Sequence, residues 1–194
     1  MLRAAIACAV LAATTSPAWP CLNGTIMEGD QAVRAIVQIE AALDTGQTGK
    51  ASELLGGEIH WMDEHVAARA RDAEMVLALR TSPRRVAKGA IAYFTARGKA
   101  QPRNLRYKAW LAEAYAALNK RAEALAILEE LHERDLMPDG FASVTLAKLS
   151  DGEQVERWLD VCRTRAKTKS ICTIPTAARR PVKTTRSYKM KLPG

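Results

Sequence analysis

A short run of acidic residues and histidines between positions 58 and 65 is the segment of this sequence with the clearest potential for metal chemistry. A zinc-binding helix places two histidines four residues apart, so that both lie on one face. His60 and His65 are five residues apart, which separates them by about 140° around a helix. We therefore favour a solvated segment between helices over a metal site and expect no cofactor. The residues concerned are Glu58, His60, Asp63, Glu64 and His65.

The patterns that enzymes use for covalent or phosphate chemistry are missing from the sequence. His132 has no Ser or Cys close to it in sequence that it could activate as a nucleophile. Its place near the end of a predicted helix suits a cation that interacts with the helix dipole. There is no glycine-rich phosphate loop and no Gly-x-Ser-x-Gly elbow. We therefore predict that the protein is not an enzyme.

The N-terminal residues have the plan of a secretory signal peptide. Arg3 precedes the apolar run Ala4–Ala13, and Ser16-Pro17-Ala18 provides the small residues of a cleavage site. The run is about half of the roughly 20 residues that cross a bilayer, so we predict export to the periplasm or beyond, with no transmembrane segment. Lipidation of Cys21 is the alternative, but the residues before it match a lipid-modification box poorly.

Three cysteines, Cys21, Cys162 and Cys172, remain if cleavage follows Ala18. They lack the Cys-x-x-Cys spacing of zinc and redox motifs, and an exported protein can form a disulfide. The short loop between Cys162 and Cys172 favours that pair, whose closure contributes about 2 to 3 kcal/mol. A free, buried Cys162 is the alternative.

The body of the chain is predicted to be all α-helical. Aromatic residues make up only 5% of the sequence, and the abundant Ala, Leu, Glu, Lys and Arg are good helix formers. Apolar residues recur at a spacing of three to four, and short connections force neighbouring helices to pack antiparallel. We predict stacked helical hairpins over 30–168, after a signal peptide at 1–18 and a segment at 19–29. The predicted helices cover about 32–43, 50–55, 63–79, 85–97, 105–118, 121–134, 139–149 and 153–166.

Small and apolar residues repeat at an offset of 34 positions in this body. Ala78 aligns with Ala112 and Ala90 with Ala124. Small side chains at these positions let two helices approach closely, and the large side chains beside them fill the adjoining space. The full pattern includes Leu77-Ala78, Ala90-x-x-x-Phe94, Pro102, Leu111-Ala112, Tyr115 and Ala124-x-x-x-Leu128.

This pattern resembles the tetratricopeptide repeat over 71–138, and more loosely over 139–166. A helical-hairpin array without true repeats is the alternative. The resemblance implies a groove that binds an extended peptide or a partner helix, lined by the first helix of each repeat. The same positions would otherwise be ordinary exposed helix residues. The groove residues that it implies are Asp72, Met75, Leu79, Arg106, Ala109, Glu113 and Ala116.

The C-terminal end is strongly basic. No acidic residue follows Asp160, whereas ten Lys and Arg residues do, so the +8 net charge of the chain leaves 8 − 10 = −2 for everything before. Prolines and a shortage of large apolar residues predict a disordered tail over 169–194. Such a tail would bind anionic lipid or polysaccharide, or it would only aid solubility. Its cationic residues are Arg179, Arg180, Lys183, Arg186, Lys189 and Lys191.

Two functions follow as hypotheses. The first is an exported, non-enzymatic scaffold that binds an unidentified protein or peptide in the groove of its helical repeats. The second is an envelope-surface module held to an anionic component by its tail. Nucleic acid is disfavoured as a partner because the export signal directs the chain away from it.

Overall fold

The computed structural model describes residues 20–57 and 63–174. Three sequence predictions lie wholly or partly outside this range. They are the signal peptide at 1–18, Glu58 and His60 of the candidate metal segment, and the tail beyond Ile174 with all six of the cationic residues named for it.

Eight α-helices follow one another in the described residues, with no β-strand among them, and this confirms the all-α prediction. A single 3-10 turn, Lys169–Ile171, follows the last helix. The helices are α1 (Pro20–Asp44), α2 (Thr48–Leu55), α3 (Glu64–Thr81), α4 (Pro83–Ala100), α5 (Arg106–Ala117), α6 (Arg121–Glu133), α7 (Gly140–Leu149) and α8 (Glu153–Arg165).

Local chemistry explains where several of these helices begin. Asp63 and Asp139 cap α3 and α7, where each carboxylate accepts a hydrogen bond of 2.9 Å from a backbone N–H one turn ahead. Pro83 opens α4, a position that needs no N–H donor. Helix α1 begins at Pro20, well before the predicted start near Ala32. Gly24 and Gly29 hide this extension from sequence analysis, because each costs about 1 kcal/mol of helix propensity.

The helices form four hairpins, α1–α2, α3–α4, α5–α6 and α7–α8, stacked in a solenoid-like arrangement. The first helix of each hairpin packs on the first helix of the next, so that α1, α3, α5 and α7 form a continuous row. Helices α2, α4 and α6 each pack between their own first helix and that of the following hairpin, and α8 packs on α7. We call the row of α1, α3, α5 and α7 the first-helix face.

Small alanines mark the close approaches between these helices, as the 34-residue pattern predicts. Ala90, Ala112 and Ala124 are each 0% exposed, and Ala78 is half-buried. Helix α5 belongs to two hydrophobic clusters, because Trp110 packs toward the first two hairpins and Ala112 packs toward the last two. The core is therefore continuous along the stack.

The predicted disulfide is present: Cys162 of α8 is bonded to Cys172. Both cysteines are buried, and nearby Ile174 packs against Val155 and Leu159. Residues 169–174, assigned to the tail on sequence, are thus packed on the last hairpin. We call residues 166–174 the C-terminal strap. None of the helices described over 20–57 and 63–174 has both the length and the apolar character needed to cross a membrane.

The C-terminal strap also contacts the first hairpin of the stack. Lys167 Nζ lies 3.2 Å from Asp44 Oδ2 at the end of α1. Ile171 packs over Gly46, where an added Cβ would lie 3.0 Å from the Ile171 Cγ2. Gly46 has a φ of +74°, which also favours glycine. The strap therefore joins the two ends of the stack across the first-helix face.

We expect Ala124→Leu to lower the free energy of unfolding by about 1 to 3 kcal/mol, because extra methyl groups cannot fit a fully packed helix crossing. Ala126→Leu is the matched control, since Ala126 lies on the exposed side of the same helix. Chemical denaturation of both variants measures the difference. Equal stabilities would show that the Ala124 position is not a close packing point.

Candidate binding surface on the first-helix face

Arg80, near the end of α3, is the central side chain of the first-helix face. Its Nη1 donates to the Leu43 carbonyl of α1 at 2.8 Å, and its Nε and Nη2 donate to the Glu113 carboxylate of α5 at 3.3 and 3.1 Å. The guanidinium lies over the Phe141 ring of α7, 3.6 Å from the centroid. One side chain thus contacts all three other hairpins.

The Arg80–Glu113 pair is buried, with side chains 9% and 10% exposed. Burial alone would lower the pKa of Arg80, but the charge and hydrogen bonds of Glu113, with the charges of Asp139 and Asp44, together offset that effect, and the pKa is raised. Arg80 therefore stays charged. A buried ion pair of this kind is stable only where both partners are kept in good hydrogen-bonding geometry.

A second network centres on Asp72 of α3, which is 5% exposed. Its two carboxylate oxygens accept hydrogen bonds from Arg97 at 2.8 and 2.6 Å, from the Tyr93 hydroxyl at 2.7 Å and from the Tyr107 hydroxyl at 2.6 Å. Burial, together with the hydrogen bond to Asp72, raises the pKa of Tyr107 to about 12. The network fastens α3 to α4 and α5.

Two further ion pairs join α1 to its neighbours. Arg69 of α3 donates to both oxygens of Glu40 at 2.9 and 2.8 Å. Arg106 of α5 pairs with Asp44, the same carboxylate that Lys167 of the strap contacts. Helix α1 is thereby linked by charge to both α3 and α5.

Arg80 lines two cavities on this face. The inner cavity, of about 280 Å³, lies among α1, α3, α4 and α5. The second cavity, of about 470 Å³, is the more open one, and residues of all four hairpins line it; we call it the groove. Its apolar lining consists of Leu79, Pro83, Ala116, Ala117, Phe141 and Leu149.

The structure divides the predicted groove residues among different surroundings. Leu79, Glu113 and Ala116 line the groove, whereas Asp72 and Arg106 line the inner cavity. Ala109 is fully buried in the core between α5 and α7. Met75 borders a separate open hollow between α3 and α4.

Arg80 and Phe141 are site residues that no motif or spacing in the sequence reveals. A basic residue in the last turn of a helix is ordinarily explained by the helix dipole. The position of Arg80 therefore carries no signal of a long-range contact. Phe141 follows a predicted helix start, where periodicity alone does not show that it stacks on a residue of another hairpin.

Asp139 is a half-buried acid beside the Arg80–Glu113 pair. One oxygen caps α7, and the buried Oδ2 has no hydrogen-bond partner among the described residues. Burial, reinforced by the negative charge of Glu113, raises the pKa of Asp139. The carboxyl group is therefore easier to protonate than an exposed aspartate.

The remaining chemical candidates lie apart from this face. Asp63, Glu64 and His65 are exposed at the start of α3. Over 20–57 and 63–174, no group of three or more His, Cys, Asp or Glu side chains is arranged to hold a metal ion. His132 packs edge-on against Trp158, with ring centroids 4.5 Å apart.

Comparison of this chain with known proteins finds no match among family models, curated sequences or solved structures. The fold and the site define it as an all-α stack of four helical hairpins whose first helices carry a charged network between two cavities.

We expect Arg80→Met to lower the free energy of unfolding by about 3 to 5 kcal/mol, because it leaves the Glu113 carboxylate buried without its partner. Adding Glu113→Leu should restore most of the loss, since the unpaired charge is then gone. Denaturant titration of the single and double variants measures both effects.

The exposed Arg34–Asp30 pair provides the control, with side chains 77% and 67% exposed. Arg34→Met should cost less than about 1 kcal/mol. An Arg80→Met variant that unfolds like the Arg34→Met variant would show that the buried pair does not hold the hairpins together.

Asp139→Asn should remove a pH-dependent loss of stability. The pKa of an aspartate in an unfolded chain is about 3.9, and the native state raises the pKa of Asp139 above it. The free energy of unfolding therefore falls as the pH rises from the unfolded pKa through the native pKa. Asparagine keeps the oxygen that caps α7 but never ionises. The stability of the variant relative to wild type should therefore increase with pH across this range, as measured by denaturation at several pH values. Parallel pH curves would contradict this account.

Proposed function

We propose that this chain is an exported, non-enzymatic scaffold that binds an extended peptide segment of a partner protein in the groove. The observation that supports this most is that residues of all four hairpins border one open cavity on the first-helix face. A peptide lying there would contact each hairpin in turn. Three of the seven groove residues that the resemblance to tetratricopeptide repeats implies, Leu79, Glu113 and Ala116, line this cavity.

The chemistry of the groove suits a peptide with apolar side chains. Leu79, Phe141 and Leu149 offer apolar contacts, and small Ala116 leaves room above α5. Thr145 and Asn119 also line the groove and offer polar groups to a peptide backbone. Apolar anchors with a few polar contacts are the usual composition of a binding site.

Two features support export as part of the proposal. The chain contains the Cys162–Cys172 disulfide, and disulfides persist mainly in oxidising compartments. The sequence begins with a signal-peptide pattern. Together they favour the periplasm or the extracellular space.

The alternative is that the basic tail attaches the protein to anionic lipid or polysaccharide. Fewer cations are free for this attachment than the sequence suggests. Arg163, Arg165 and Lys167 belong to the ten basic residues after Asp160. In the folded body they pair with Asp160, Asp135 and Asp44 respectively. These pairs offset part of their charge, so the tail residues beyond Ile174 would supply most of the attraction.

The proposal is tested by selecting linear peptides from a random display library on the immobilised full-length chain. We expect Ala116→Arg to weaken the selected peptides at least about tenfold, because its long side chain fills the groove and a tenfold change needs only about 1.4 kcal/mol. Ala126→Arg is the matched control on an exposed surface of α6. Affinities are measured by titration, and thermal unfolding confirms that both variants are folded.

Peptides that bind both variants equally well would contradict binding in the groove. A chain ending at Ile174 separates the alternative function. Peptide binding should survive this truncation, whereas retention on anionic vesicles through the tail should be lost. Such retention should also disappear in about 0.5 M salt, which shortens the range of electrostatic attraction to a few ångströms.

A further inference from the structure

Helices α4 and α6 both lie on the side of α5 that faces away from the groove. On α5, Leu111 packs into the hydrophobic cluster that includes α4, and Tyr115 packs into the cluster that includes α6. These two residues are four apart and therefore share one side of the helix. Glu113, which lines the groove, lies about 200° around the helix from each of them. We call the exposed surfaces of α4 and α6 together the outer face.

The α4 half of the outer face is basic. Residues 75–112 contain nine Lys and Arg residues and no acidic residue. Four of these cations lie on α4 within about 100° of its circumference, on the side away from buried Ala87 and Phe94. All four are exposed, and their side chains have no hydrogen-bond or ion-pair partner among the described residues. They are Arg84, Arg85, Lys88 and Lys99.

The α6 half of the outer face is acidic. Its four exposed glutamates point away from the buried side of the helix, which includes Leu128. Glu123 and Glu130 each pair with a lysine. The side chains of Glu129 and Glu133 have no partner in the part of the chain that the structure describes. The outer face therefore carries free positive charge on one helix and free negative charge on the other.

Small residues lie among these charges on both helices. Ala92 and Ala96 of α4 are exposed, as are Ala122 and Ala126 of α6. The distance between two packed helices depends on the side chains at their contact, so short ones allow a close approach. The long charged side chains beside them can then reach across to a facing helix.

The arrangement of charge decides which partner fits the outer face. A uniformly anionic surface, such as a bilayer of acidic lipid, would attract α4 but repel α6. A partner that is acidic opposite α4 and basic opposite α6 satisfies both helices. A second copy of this chain is such a partner when a two-fold axis runs along the helices between α4 and α6. A two-fold axis across the helices would instead place like charges together.

We propose that the outer face forms a two-fold dimer of this chain, in which α4 of each copy packs against α6 of the other. Helix α4 has 18 residues and α6 has 13. At about 1.5 Å per residue and about 10 Å across, their outer surfaces cover roughly 450 to 500 Å² per copy. A standard interface buries about 800 Å² per partner, so this dimer is weak and reversible. It leaves both grooves open and is independent of peptide binding there.

Sedimentation analysis of the full chain over a range of concentrations measures the association. We expect a monomer–dimer equilibrium at low salt. The affinity should fall at least about tenfold in about 0.5 M salt, because screening shortens the reach of exposed charges to a few ångströms.

Charge reversal identifies the two surfaces that meet. Arg84→Glu with Lys88→Glu makes both helices of the outer face acidic, and Glu129→Lys with Glu133→Lys makes both basic. Each double variant alone should dimerise at least about tenfold more weakly than wild type, because like charges then face each other. An equimolar mixture of the two variants should form a heterodimer about as tightly as wild type dimerises.

Lys148→Glu with Lys169→Glu is the matched control, because it changes the net charge by the same amount as the α4 variant. Both lysines are exposed and lie away from the outer face, Lys148 at the groove and Lys169 in the C-terminal strap. This variant should dimerise like wild type.

The inference is wrong if the wild-type chain stays monomeric at every concentration, or if both reversed variants dimerise as it does. A mixture of the reversed variants that associates no more tightly than either alone would also contradict it. A monomeric chain that binds vesicles of anionic lipid and loses this binding in the α4 variant would assign the basic stripe to a membrane surface instead. None of these results bears on the groove, because the Ala116→Arg comparison tests that surface separately.

Discussion

The need to pair one buried positive charge governs this structure. Arg80 is removed from water, and a guanidinium in that position is tolerated only when acceptors surround it. The acceptors are a carbonyl of the first hairpin and a carboxylate of the third, and an aromatic ring of the fourth covers the guanidinium. Because these groups come from different hairpins, the relative placement of the hairpins and the charge state of Arg80 depend on each other.

The same constraint separates the two cavities. Arg80 forms part of the wall of each: the groove has a mixed apolar and charged lining, and the smaller cavity is lined largely by charged residues. The Asp72 network then fixes α4 and α5 against α3, so that the donors of the inner cavity have defined positions. Pre-arranged side chains of this kind reduce the ordering cost of binding. The side chains that line both cavities on the first-helix face are therefore held in fixed positions.

Much of the architecture could be predicted because it follows from local pattern. Apolar spacing predicts the helices, and the recurring Ala90 and Ala124 mark close helix crossings that are fully buried. The Cys162–Cys172 bridge follows from proximity in sequence. Pairing between hairpins could not be predicted in this way. Asp72 is at a suitable position for a groove residue, yet Tyr93, Arg97 and Tyr107 occupy its oxygens. No helical periodicity encodes which distant donors a carboxylate meets, and Arg80 was missed for the same reason.

The C-terminal strap has a consequence for how this molecule can change during evolution. In an open solenoid each repeat touches only its neighbours, so units can be gained or lost at little cost. Here Lys167 meets Asp44 across 123 positions of the sequence, and Ile171 covers Gly46. A duplicated hairpin anywhere between them would separate both contacts. The strap consequently constrains the stack of four hairpins in the described residues, and change is easier by substitution within those helices than by duplication of a hairpin.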